Sequence, residues 1–170
     1  MHFSAQEEYG VRCLLRLAQA APDQSRTINE ISRAEGISIP YTAKMMRILR
    51  SGGLVKSVRG QAGGYRLARP ADQISVTQAL AALGSPLFEG EFCDKHSGQE
   101  DVCTHSINCS IRSLWRGVQL VVDKLLSRTT IRDLACEEKQ MDVFVSDLVV
   151  LASIADTREG LRRGGLGQEN

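Results

Sequence analysis

Apolar residues recur at helical spacing from the start of the chain. In "AQEEYGVRCLLRLAQA", Tyr9, Cys13, Leu14, Leu17 and Ala18 fall on one stripe. Ser4, with Glu7 three residues later, is a capping box that opens this helix. Glu8, Arg12 and Leu15 share a different face, directed away from the centre of the stripe. After the turn "APDQS", Thr27 and Glu30 form a second capping box, opening a short helix that stops at Gly36. Ser38 then caps "IPYTAKMMRILRS", with Pro40 tolerated in its first turn and Gly52–Gly53 ending it. The period next changes. "GLVKSV" and "GYRLAR" are two brief β-rich segments around the Gly-rich "RGQAGG", which predicts a hairpin. Ser75 with Gln78 opens another short helix, "VTQALAAL", ended by Gly84.

Helix, helix, helix and basic hairpin in that order predict a winged helix-turn-helix, mainly α with a small β-hairpin wing, over residues 1–84. Residues 85–109 read as a polar, cysteine-rich loop. Residues 110–157 carry two helical segments. In "SIRSLWRGVQLVVDKLLSRT", Ile111, Leu114, Trp115, Val118, Val121, Val122, Leu125 and Leu126 make an apolar face too broad for a lone surface helix. Such a helix suits a dimerising element, one side on its own core and one on a partner copy; a single-chain core helix is the competing reading. "MDVFVSDLVVLASIAD" is a final apolar helix, and residues 158–170 read as a flexible tail.

Composition adds limits. With 170 residues, 42% apolar and 24% charged, the chain is an ordinary globular protein large enough for a core of its own. No apolar stretch is long enough to span a membrane, and "MHFSAQEEYG" lacks the features of a secretion signal, so we expect a cytoplasmic protein. A net charge of +1 decides little, but its distribution does. From Lys44 to Arg69 the chain has seven Lys or Arg and no Asp or Glu, an electrostatic footprint for phosphates. Nothing in the sequence provides a nucleophile–base arrangement, a phosphate loop or a metal-hydrolase motif, so an enzyme is not expected.

The segment "CDKHSGQEDVCTHSINC", Cys93 to Cys109, holds three of the five cysteines and two of the three histidines. Metal binding, disulfides and chance grouping are the options. A reducing compartment and an odd cysteine count disfavour disulfides. Soft anionic sulphur binds iron–sulphur clusters and zinc alike. Structural zinc sites usually carry two cysteines separated by about two to four residues, and that knuckle is missing. Cys93, His96, Cys103, His105 and Cys109 still supply enough ligands for zinc, and neighbouring thiols alone can sense oxidation. Cys13 and Cys136 have the spacing of buried small hydrophobes.

Together these features resemble the IscR/NsrR-type transcriptional regulators of the Rrf family, dimeric winged-helix proteins of bacteria. The most specific likeness is "LVKSVRGQAGGYRLARP", Leu54 to Pro70, which resembles the family's wing. "FSAQEEYGVRCLLRLA" and "ISRAEGISIPYTAKMMRILRSGGL" resemble its first helices. The likeness runs from Met1 to about Ala135. Many members hold an iron–sulphur cluster through three cysteines of this loop, which implies Cys93, Cys103 and Cys109 as ligands here. Family spacing puts five residues in each gap; this chain has nine, then five. In the best-known branch a histidine follows the last cysteine by three positions, but Arg112 stands there. Other branches complete the site with an acidic residue of the first helix from the opposite subunit, which implies Glu8 of the partner subunit; His105 is the substitute. The stretched first gap favours a two-iron over a four-iron core.

The resemblance also implies a homodimeric DNA-binding regulator, a repressor in its expected mode, on a near-palindromic duplex operator. Ser38, Pro40, Tyr41, Thr42 and Lys44 lie in the first two turns of the expected recognition helix. Thr42 and Lys44 are expected to donate to base edges, and Tyr41 either stacks on sugar or packs into the core. Arg47 and Arg50 suit phosphates. Arg59 is placed at the wing entry for the minor groove, with Gly60, Gly63 and Gly64 letting the tip turn tightly. A same-fold regulator using zinc or bare thiols, and a scaffold that carries a cluster without binding DNA, are the alternatives; the basic run disfavours the scaffold.

Overall fold

Each of the first helices forms where its cap places it. In the computed structural model, which describes residues 4–21, 24–60, 63–84 and 108–163 (side chains to 150), α1 is Ala5–Ala18. The Ser4 side chain accepts from the Glu7 amide, and the Glu7 carboxylate accepts from the Ser4 amide at 2.8 Å. The same reciprocal box opens α2, Ile28–Glu35, through Thr27 and Glu30, and α4, Val76–Leu83, through Ser75 and Gln78. Glu30's carboxyl lies below its ordinary range chiefly because it accepts from the Thr27 backbone. Gly36 ends α2 in the left-handed region at φ 66°, which a side chain at that position would disfavour. α3 is Ile39–Ser51. Ser38 stands at its N-cap without a side-chain cap bond; instead its carbonyl accepts from the Thr42 amide and from the Thr42 hydroxyl.

The wing is an antiparallel pair, β1 Val55–Val58 and β2 Gly64–Leu67, with Val55 opposite Leu67 and Val58 opposite Gly64. Arg26 and Tyr65 exchange both backbone bonds at 2.8 Å, so the turn before α2 adds a short third edge to the wing. This brings the Arg26 carbonyl against Gly64, where a Cβ would lie 2.5 Å from that oxygen. Glycine is therefore required at this position by a neighbour as well as by its own φ of 155°.

The core gathers the apolar stripes of these elements: Leu14 and Leu17 of α1, Ile31 of α2, Met45, Met46 and Leu49 of α3, with Leu54, Ile74 and Leu83. α5, Ser110–Arg128, packs on α4 and is followed by a return to the same core. The Val76 amide donates to Thr129, the Ile131 amide donates to Ile74, and the Ile131 side chain is fully buried. α5 and the winged helix-turn-helix thus lie in one unit, Met1–Ala135; the second unit, Cys136–Asn170, contains α6, Glu138–Arg163. Helical backbone therefore continues into the stretch we expected to be tail, while 164–170 and the loop residues 85–107 lie outside the described residues.

Candidate nucleic-acid interface and cysteine centre

The basic face is built on α3 and the wing. Ser38, Pro40, Lys44, Arg47 and Arg50 are exposed along α3, because its buried side is taken by Thr42, Met45, Met46 and Leu49. Thr42 departs from the expectation of a base donor. Its side chain is fully buried and its hydroxyl is committed to the Ser38 carbonyl at 3.1 Å, which withdraws it from a groove. A helical hydroxyl satisfied on the preceding turn is a familiar alternative to an outward bond. Tyr41 is half-buried against the core. Its ring meets the Tyr9 ring edge-on, centroids 5.8 Å apart, and the Lys44 ammonium lies 5.6 Å from its centroid. Of the two expectations for Tyr41, the geometry meets the packing into the core; it also sets the ring beside an exposed cation, Lys44. Arg59 and Gly60 are exposed at the wing tip, Gly60 at φ 103°, and the Gly63 amide donates to the Gly60 carbonyl at 2.9 Å. Gln61 and Ala62 lie outside the described residues.

Sequence patterns gave no notice of how this reading head is fixed to α1. Glu35, the last residue of α2, accepts from Arg12 Nε at 3.0 Å and from Arg16 Nε at 2.8 Å, while a second Arg12 nitrogen donates to the Glu35 carbonyl. The Glu35 side chain is only 9% exposed. Arg12 also lies 5.5 Å from the Tyr9 ring centroid. The arginines' four-residue spacing marked one helix face; the partner, 19 and 23 positions away, carried no local signal.

Of the expected cluster ligands, Cys109 and Glu8 are described; Cys93, Cys103 and His105, with His96, lie outside the described residues. Cys109 is half-buried at the N-cap of α5, and its Sγ accepts from the Arg112 amide at 3.3 Å. Arg112, standing where a histidine ligand was considered, thus touches this sulphur through its backbone. Glu8 is exposed on α1, clear of the buried side formed by Gly10, Cys13, Leu14 and Leu17. A half-buried thiol with an amide donor and an accessible carboxylate are donors of the kind a cluster takes, and N–H···S bonds tune such clusters. Among the described residues no three His, Cys, Asp or Glu side chains converge on a point. The two remaining cysteines differ from each other. Cys13 is fully buried, as expected, and burial, reinforced by the Glu35 charge, pushes its thiol up to about 11. Cys136, the first residue of the second unit, is exposed, contrary to expectation.

The family profile described as Rrf2, "Iron-dependent Transcriptional regulator", matches residues 3–137. Protein rrf2 of Nitratidesulfovibrio vulgaris is 31% identical over 134 residues, 79% of this chain and 87% of that protein. Among solved structures, T. potens IscR aligns with a TM-score of 0.62 at 29% identity, covering 79% of this chain and 85% of that one. CymR, the global cysteine regulator of B. subtilis, aligns with a TM-score of 0.61 at 27% identity, covering 79% of this chain and 96% of that one.

Proposed function

The chain belongs to the Rrf2 family of DNA-binding transcriptional regulators and is not an enzyme, and from that premise we propose a homodimeric repressor whose DNA affinity is switched by an iron–sulphur cluster. Cys93, Cys103 and Cys109 hold the cluster, and Glu8 of the partner subunit is its fourth ligand, with His105 as the substitute. When bound, the cluster supplies a redox-sensitive, labile centre. The stretched first gap favours two irons over four.

The observation that carries this reading is the position of Cys109. Its sulphur caps α5, so a ligand of the centre and the first turn of the expected dimer helix are one piece. α5 packs on α4, and α4 packs on both α1 and α3. A change in how Cys109 is held is therefore felt two helices away by the recognition helix. Glu8 sits one residue from Tyr9, whose ring meets Tyr41 of α3, giving a second short route. Lys44 reads bases; Arg47 and Arg50 position the protein on phosphates; Arg59 enters the minor groove with Gly60, Gly63 and Gly64 at the tip. Ser38 and Pro40 lie at the entry of α3, and Tyr41 holds Lys44.

The test is anaerobic purification with iron, sulphide and zinc counted per chain, optical and spin-resonance spectra, and operator binding with and without the centre. Iron and sulphide in equal amounts, lost in Cys109→Ser, with a changed operator affinity on loss, support the reading. A colourless protein with stoichiometric zinc overturns it in favour of the same fold sensing through zinc. A metal-free protein whose affinity answers only to peroxide transfers the role to bare thiols. An unchanged spectrum in Glu8→Ala moves the fourth ligand to His105.

A further inference from the structure

The large apolar side chains exposed among the described residues lie on α5 and α6, with one exception. Ile39, the first residue of α3, is 53% exposed. Two positions earlier, Ile37 is buried in the core. The turn between them is tightly held. The Ile37 amide donates to the Ser32 carbonyl at 3.1 Å, and the Ser32 hydroxyl donates to the Ile37 carbonyl. The Ser38 carbonyl accepts from the Thr42 amide at 2.9 Å and from the Thr42 hydroxyl at 3.1 Å. Ile39 is therefore presented outward by a fixed turn.

Its surroundings restrict what it can meet. α3 has no acidic residue, and Lys44, Arg47 and Arg50 are exposed along it. A surface of that charge attracts an anion-rich partner. Helical side chains lean toward the N-terminus, so a long residue one turn later covers its predecessor. Ala43 stands at that position and is too short to cover Ile39. An uncovered apolar side chain on a basic helix fits a partner that combines negative charge with isolated apolar groups. The major groove of DNA is such a partner, flanked by phosphates and carrying the thymine C5-methyl group. An acidic protein surface is the competing partner. The place of Ile39 in the first turn of α3, the end of such a helix that enters a groove, favours DNA.

We propose that Ile39 reads thymine, packing on the C5-methyl group of one thymine in each half-site of the operator. The inference rests on α3 being the recognition helix and adds to Lys44 a reader of a different kind. A hydrogen bond from Lys44 is satisfied by acceptors on guanine, adenine or thymine, whereas a methyl contact singles out thymine. Losing the Ile39 side chain costs the fold little, because it is more than half exposed.

The experiment uses the full chain, purified anaerobically, and a duplex that the wild type enriches from a random pool. Each thymine of that duplex is replaced in turn by deoxyuridine, which removes only the methyl group, and affinity is read by fluorescence anisotropy. At the thymine that Ile39 meets, wild-type binding should weaken about fourfold per half-site, as for one buried methyl group. Ile39→Ala should bind the thymine duplex more weakly by at least that factor and be indifferent to the replacement. Ile39→Val should keep the difference between thymine and deoxyuridine. Random duplex should be bound equally by all three, with the same salt slope, and their melting temperatures should agree. A pool from which the wild type enriches no sequence overturns the proposal together with the recognition-helix reading. An enriched duplex in which Ile39→Ala feels every methyl as the wild type does overturns the proposal alone and leaves Ile39 to an acidic protein partner. Equal loss on selected and random duplex in Ile39→Ala also overturns it.

Discussion

The face of α5 that is exposed among the described residues makes dimerisation open to a sharp test. Ile111, Leu114, Trp115, Val118 and Val121 are exposed by 61, 59, 46, 38 and 63%, and no residue of this helix is fully buried. Full burial of such a side chain stabilises by about 1.5–3 kcal/mol, so covering the exposed half of Leu114 contributes about 1 kcal/mol. In a two-fold interface every substitution counts twice. Leu114→Ala should therefore weaken the dimer by about 2 kcal/mol, roughly 30-fold. Leu114→Asp adds an unpaired carboxylate on each side, about 1–3 kcal/mol apiece, and should weaken it by more than about a thousandfold. The folded monomer barely notices, since the position faces water there, so circular dichroism should be unchanged. Sedimentation at micromolar concentration should show a wild-type dimer, a mixed Leu114→Ala and a monomeric Leu114→Asp. Operator affinity should fall with the dimer, because two tethered reading heads bind far more tightly than one. A Leu114→Asp protein that still sediments as a dimer, or a monomeric wild type, would refute the assignment of this face.

Local signals carried most of the fold into the sequence. Three capping boxes, Ser4–Glu7, Thr27–Glu30 and Ser75–Gln78, open α1, α2 and α4 where their spacing placed them, because a box satisfies amides within one turn and needs no tertiary partner. The hairpin was equally legible from its glycines. What escaped depends on distance. Gly10 is buried where α1 crosses α4, and a Cβ there would overlap the Leu83 side chain; nothing local distinguishes it from a plain helical glycine. Ile131 joins the core through a return of the chain after α5, which no periodicity announces. Within the candidate site, the outward side of α3 followed from its period, yet Thr42 fell on the wrong side of that line by one position, as a residue near the edge of a helical stripe can. Cys136 shows the opposite error: helical spacing beside apolar residues suggested burial, but the residue stands exposed just before α6 begins at Glu138.

Three further expectations follow from the same geometry. Arg59→Ala should weaken operator and random DNA alike, with a salt slope reduced by about one. Lys44→Ala should lose more on the operator than on random duplex, and equal losses in fluorescence anisotropy would remove Lys44 as a base reader. Glu35→Ala, which strands two partly exposed arginines, should lower urea stability by about 1–2 kcal/mol, with Glu35→Gln losing about half; an unchanged melt would show that the α1–α2 clamp carries no energy. Cys13 supplies a pH test. Its thiol is raised in the folded chain from 9.0 to about 11 by burial first and the Glu35 charge second, against the opposing charge of Arg12. A raised value means the native state keeps its proton when the unfolded chain has lost it. Its stabilising contribution is therefore fully present below about pH 9 and is lost as pH rises through about 11, reaching about 2–3 kcal/mol. Other groups titrate in that window, so the quantity to follow is the stability of wild type minus that of Cys13→Ala across pH 8 to 11. That difference should fall steadily, and the thiol should resist alkylation in the native state near pH 8 while exposed Cys136 reacts. A flat difference, or Cys13 labelling as fast as Cys136, would mean that the α1 stripe does not seal this thiol from water.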